Sequence, residues 1–142
     1  LSRFNEDVIN QNPQAVYILA GINDIAQNSG YISIDDISTN IIKMGLLAQK
    51  NNIKVVICSV MPVTEIAWNE KIKNANQKVI ELNHQLINKS KKNNFIYLDY
   101  YSEMKEELSL LTYDGLHPNE KGYLKMIAIL KKSLKGIANN FN

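Results

Sequence analysis

Apolar residues in this chain fall into two patterns that alternate along its length, unbroken runs and stripes recurring every three or four positions. Ala15 to Ala20 (Ala-Val-Tyr-Ile-Leu-Ala) is a continuous run that contains β-branched and aromatic residues and stops at Gly21. Such a run predicts a strand buried on both faces. Ser33, with Asp36 three residues on, has the form of a helix capping box. Ile34, Ile37, Ile41, Met44 and Ala48 then share one helical face as far as Asn51-Asn52. Lys54 to Val60 (Lys-Val-Val-Ile-Cys-Ser-Val) predicts a second buried strand, closed by Pro62. A long helix is expected from about Glu70 to Lys92, with Ile72, Ala75, Val79, Leu82 and Leu86 on its apolar face. Phe95 to Asp99 reads as a third strand and Glu120 to Leu134 as a last helix, capped by Asn119.

Strands separated by helices of this length must be joined by crossovers, which make a parallel sheet covered on both sides. The predicted class is α/β, with three layers α/β/α around a parallel sheet. In such a sheet, function gathers at the carboxyl ends of the strands. Gly21 to Asp24 leaves the first strand there, Ser59 to Val63 the second and Asp99 to Ser102 the third, while Asp114 to His117 arrives just before the last helix. All four segments belong to one edge.

Composition narrows the picture. The 142 residues suit a single domain spanning 1–142, long enough to bury about two-thirds of its unfolded surface. The 16 basic and 14 acidic residues give a net charge of +2 and are spread along the chain, so neither a nucleic acid nor a membrane is expected as partner. Lys89, Lys91 and Lys92 read as the solvated end of a helix. Cys58 has no second cysteine to pair with. No apolar run reaches the roughly 18 residues of a membrane span, and no signal peptide opens the chain. Frequent Asn and Ile point to an AT-rich bacterial genome, and a secreted or periplasmic location is favoured over a cytoplasmic one.

Candidate chemistry lies in Gly21-Ile22-Asn23-Asp24 and Asp114-Gly115-Leu116-His117-Pro118. An Asp three residues before a His can orient the imidazole as a base, and an Asn leaving a strand can offer its amide to an oxyanion. Each also has a plain structural reading, since Gly, Asn and Asp make turns by bonding their own backbone. His84 falls on the helix face opposite Leu82 and Leu86, so it is expected in solvent, and two histidines without a carboxylate cluster argue against a zinc site. Trp68 follows the second strand's exit loop, where it could stack on a sugar or acyl group or simply pack.

Gly21-x-Asn23-Asp24 after a strand, Asp114-x-x-His117 before the last helix, and the intervening Val-Val-Ile-Cys-Ser-Val-Met-Pro together resemble the SGNH hydrolases, or GDSL-like lipase/acylhydrolase family, most closely its bacterial acylhydrolases. The likeness runs over essentially the whole chain, with Phe4 to Ile9 similar to the helix before the family's third strand and Tyr97 to Tyr101 to the segment after its fifth. It implies a flavodoxin-like sheet in which Asn23 donates to the oxyanion and Gly21 lets the backbone turn toward it. It also implies that His117 is the base, Asp114 fixes its tautomer, and Asp24 supports the loop. The family's reaction is ester hydrolysis through a serine nucleophile, with no cofactor and no metal.

The family's Gly-Asp-Ser block and its isolated Gly are not in this sequence. None of the nine serines has a Gly-Asp-Ser or Gly-Asn-Ser context, and only Ser59 has a nucleophile-like location. The nucleophile is therefore expected upstream of Leu1. The chain is then the C-terminal part of a hydrolase domain incomplete at its N-terminal side, inactive by itself, and in need of that segment or a partner over an open sheet edge. The expected substrate is a small acyl ester, with acetylated carbohydrate as one class. The alternatives are a thioesterase or lysophospholipase, or a non-catalytic remnant or carbohydrate-binding subunit of the same fold.

Overall fold

The computed structural model describes residues 2–138. In order they form helix α1 (Phe4–Asp7), a 3-10 turn (Ile9–Gln11), strand β1 (Ala15–Ile18), helix α2 (Ile22–Ile25), helix α3 (Ile34–Lys50), strand β2 (Lys54–Cys58), helix α4 (Ala75–Lys92), strand β3 (Ile96–Leu98), helix α5 (Tyr100–Met104), a 3-10 turn (Lys105–Glu107), helix α6 (Leu108–Leu111) and helix α7 (Glu120–Ala138). The strands make one parallel sheet in the order β1-β2-β3, with Tyr17 aligned to Val56 and Ile57 to Tyr97. The α/β class expected from the alternation of runs and stripes is the class observed.

Central β2 shows why its sequence is apolar throughout. Val55 and Ile57 point into one core, shared with Ile37 and Ile41 of α3 and Val79, Leu82 and Leu86 of α4. Val56 and Cys58 point into another, shared with Leu98, Tyr100, Met104 and Leu111 and flanked by Met126, Ile129 and Leu130 of α7. Successive side chains of a strand face opposite ways, so one run supplies both layers of contact. Among the described residues no helix is long and apolar enough to cross a membrane.

Element ends differ from the pattern-based expectation, each for a local reason. The second strand stops at Cys58, short of Val60, because the side chain of Asn83 takes over as partner: its Oδ1 accepts from the Val60 N–H and its Nδ2 donates to the Val60 carbonyl, both at 2.8 Å. The first strand ends at Ile18, two residues before Ala20, where the chain swings toward α2. Phe95 gives its N–H to the Ser90 carbonyl at the end of α4, and Asp99 caps α5 by accepting from the Ser102 N–H, leaving only Ile96–Leu98 in the ladder. The long helix starts at Ala75 instead of Glu70, after Asn74 in the left-handed region at φ 55°. The last helix runs past Leu134 to Ala138, and the first helical segment ends at Asp7, not Ile9.

Candidate active site

Gly21 ends the apolar run at φ 116°, a backbone conformation that residues with a Cβ rarely adopt. A Cβ there would also meet Cδ2 of the fully buried Leu82 at 2.6 Å. The sharp turn starts α2 at once and puts the exposed Asn23 and Asp24 in its first turn. Gly115, at φ 78° and pressed against the Thr64 side chain, makes the turn between Asp114 and His117 in the second segment.

The Asp114 loop is pinned at its mouth, where the Tyr113 N–H donates to the His117 carbonyl and the Asn119 N–H to the Leu111 carbonyl, both at 2.9 Å. Inside it, Asp114 Oδ1 accepts the backbone N–H of His117 at 2.8 Å and that of Leu116 at 3.1 Å. Asp114 Oδ2 lies 2.7 Å from His117 Nδ1. Three donors on one carboxylate, the His117 backbone N–H first among them and its ring next, hold the Asp114 acid down at about 2, against an ordinary 3.8. A carboxylate at Nδ1 keeps the imidazole proton on that nitrogen and leaves Nε2 as the acceptor. The His117 side chain is 58% exposed, so that nitrogen is open to a ligand.

His117 and Asn23 line one cleft of about 310 Å³, together with Leu19, Ile22, Met61 and Pro62. The exit segment of β2 ties its two sides together. The Thr64 N–H donates to the Gly115 carbonyl at 2.9 Å, and Asn69 Nδ2 donates to the Ala26 carbonyl just after α2 at 3.0 Å. Trp68 lies over His117, ring centroids 5.7 Å apart and planes 29° from parallel, while its indole N–H reaches Asn28. Asn28 gave no signal in the sequence. Its neighbour Trp68 did, but its contact with the histidine ring was not foreseen.

Among the described residues no hydroxyl or thiol lines this cleft. Ser59 is fully buried, accepts the Tyr101 N–H at 2.8 Å and lies 3.3 Å from Asp99 Oδ1. It is a strut between the ends of β2 and β3 instead of an open nucleophile. Burial pushes the Cys58 thiol up to about 12, far from the thiolate that reactivity needs. His84 is exposed on α4, its Nε2 3.4 Å from Asn88 Nδ2.

An α/β sheet with an Asp–His pair and an Asn amide at the carboxyl edge is a hydrolase-type arrangement. The sequence model of the GDSL-like Lipase/Acylhydrolase family matches residues 1–125, and the chain belongs to that family. A GDSL-like lipase from Bacteroides thetaiotaomicron superposes with a TM-score of 0.90 at 38% identity, covering 96% of this chain and 69% of that one. An acetylxylan esterase from Geobacillus stearothermophilus shares the fold, with a TM-score of 0.78 at 17% identity over 92% of this chain and 64% of that one. In sequence, an acetylxylan esterase from Xylanibacter ruminicola is 27% identical over 88 residues, which are 62% of this chain and 18% of that protein. The chain thus spans under a fifth of that curated relative.

Proposed function

We propose that this chain carries the base, the orienting acid and one oxyanion donor of a serine esterase acting on small acyl esters, with acetylated carbohydrate as the substrate class. The observation that carries the reading is the 2.7 Å contact between Asp114 Oδ2 and His117 Nδ1 beside a cleft shared with Asn23. His117 Nε2 takes the proton of a serine hydroxyl as its oxygen attacks the ester carbonyl, and Asp114 stabilises the imidazolium that results. Asn23 Nδ2 donates to the oxyanion, with the turn at Gly21 delivering it and Asp24 supporting the loop. The imidazolium then protonates the leaving alkoxide, and water releases the acyl group by the same route. No step needs a metal or cofactor. Trp68, half exposed beside His117, offers a face for the alcohol part of the substrate. The acetylxylan esterase relatives favour a sugar there.

The nucleophile comes from a segment outside these residues, following an apolar strand that pairs with β1. Support for this lies in the cleft, which among the described residues has a base and no hydroxyl for it to act on. Fluorophosphonate treatment with intact-mass detection tests the reading. The 142-residue chain should take up no label. The same chain extended at its N-terminal side through a Gly-Asp-Ser-type segment should label stoichiometrically and hydrolyse p-nitrophenyl acetate. A folded extended chain that does neither would leave the non-catalytic alternative standing.

A further inference from the structure

An asparagine amide has a donor end and an acceptor end of nearly the same shape, so an oxyanion donor of this type works only if something decides which end faces the substrate. At Asn23 that decision can be traced through two further residues. Trp68 Nε1–H donates to Asn28 Oδ1 at 3.1 Å. An indole nitrogen can only donate, so the Asn28 oxygen must face Trp68 and its Nδ2 must face the other way. That Nδ2 donates to Asn23 Oδ1 at 3.2 Å, and the Asn28 backbone N–H donates to the Asn23 carbonyl at 3.1 Å, holding the two residues together. With Oδ1 occupied, the Asn23 amide turns its Nδ2 outward, and that nitrogen has no partner among the described residues.

We infer that Asn28 is a positioning residue for Asn23, reading the donor-only indole of Trp68 and transmitting its polarity so that Nδ2 is the end presented to the cleft. Because Trp68 also lies on the His117 ring, the same indole bears on the base and, through Asn28, on the oxyanion donor. This rests on the esterase reading above and adds a residue to it.

Asn28→Asp is the discriminating variant. A carboxylate still accepts from Trp68 but offers Asn23 only an acceptor. The Asn23 amide should then reverse and present its oxygen to the oxyanion. In the complete enzyme turnover should fall on the order of a hundredfold, comparable to removing an oxyanion donor, with KM nearly unchanged. In an Asn23→Ala background Asn28→Asp should do almost nothing further, because its effect passes through Asn23. Unchanged turnover, or an equal loss in the Asn23→Ala background, would overturn the inference. If the complete protein hydrolyses no ester at all, the esterase reading fails instead. The polarity relay is tested separately by NMR of the chain itself. Asn28→Ala should move both the Trp68 indole and the Asn23 side-chain amide resonances, and unmoved resonances would sink the inference whatever the activity.

Discussion

The proposed chemistry rests on a single amide, imidazole and carboxylate, and each has its own test. Asn23→Ala in the complete enzyme should lower turnover by about a hundred- to a thousandfold with the fold intact, the usual worth of one oxyanion donor. Near-wild-type turnover on a folded variant would remove Asn23 from the mechanism. Asp114→Asn should cost less activity than His117→Ala, since it leaves the base in place while giving Nδ1 the wrong partner. Comparing kcat/KM for the two decides that. The carboxylate also makes a prediction that needs no turnover. Its acid is held at about 2, below its ordinary value, so its stabilising bonds are fully present above roughly pH 4 and are lost as pH falls through 2. A carbon-13 titration should place the Asp114 midpoint near 2. In His117→Ala the midpoint should rise only part of the way, because the backbone N–H donors remain. That Asn23, Asp114 and His117 are candidates was legible in the sequence, because glycine or proline beside a lone polar group is a local signal; that Asn23 and His117 line one cleft is what the fold adds. Asn28 was not, since its role depends on Trp68, a residue forty positions away that only tertiary folding brings to it.

Elements were legible where one physical signal dominated. The stripe of α3 and its cap are where the sequence put them, with Ser33 accepting the Asp36 N–H at 3.1 Å. Ser33→Ala should therefore cost about 1 kcal/mol of stability, read as a lower urea midpoint, and leave the site untouched. The segment between β2 and α4 was misread as helix from Glu70, because Ile72 is apolar three residues before Ala75 yet is buried from an irregular loop. That loop is held by particular bonds, Asn69 to Ala26 and Thr64 to Gly115, which periodicity does not encode. Gly21→Ala joins the two levels. The positive φ alone costs about 1 to 2 kcal/mol, and the new methyl must also displace Leu82. Denaturation should show a loss at least that large. A variant as stable as wild type would mean that the turn into α2 is not held as described.

At the scale of the whole molecule, β1 is the outer strand of the sheet and among the described residues pairs on one side only. An open edge is a template for another chain, and natural proteins guard such edges with lysine, proline or bulges. Ala15, Val16, Tyr17 and Ile18 carry no such guard. Leu19 beyond the strand is 44% exposed, and Tyr123, Leu124 and Ile127 of α7 are exposed as well, apolar surface of the kind that a further packed element ordinarily covers. The chain alone should therefore self-associate, with a sedimentation coefficient that grows with concentration and with binding of an apolar dye. Adding roughly 60 to 80 residues at the N-terminal side, enough for two strand–helix units, should abolish both by pairing the edge and covering α7. It should also bring a serine to His117, so that monomeric behaviour and fluorophosphonate labelling appear together in one protein. A short chain that sediments as a monomer at all concentrations would show that β1 tolerates its open edge. Labelling of that short chain at Ser59 would mean that the strut between β2 and β3 opens in solution and that the nucleophile was here all along.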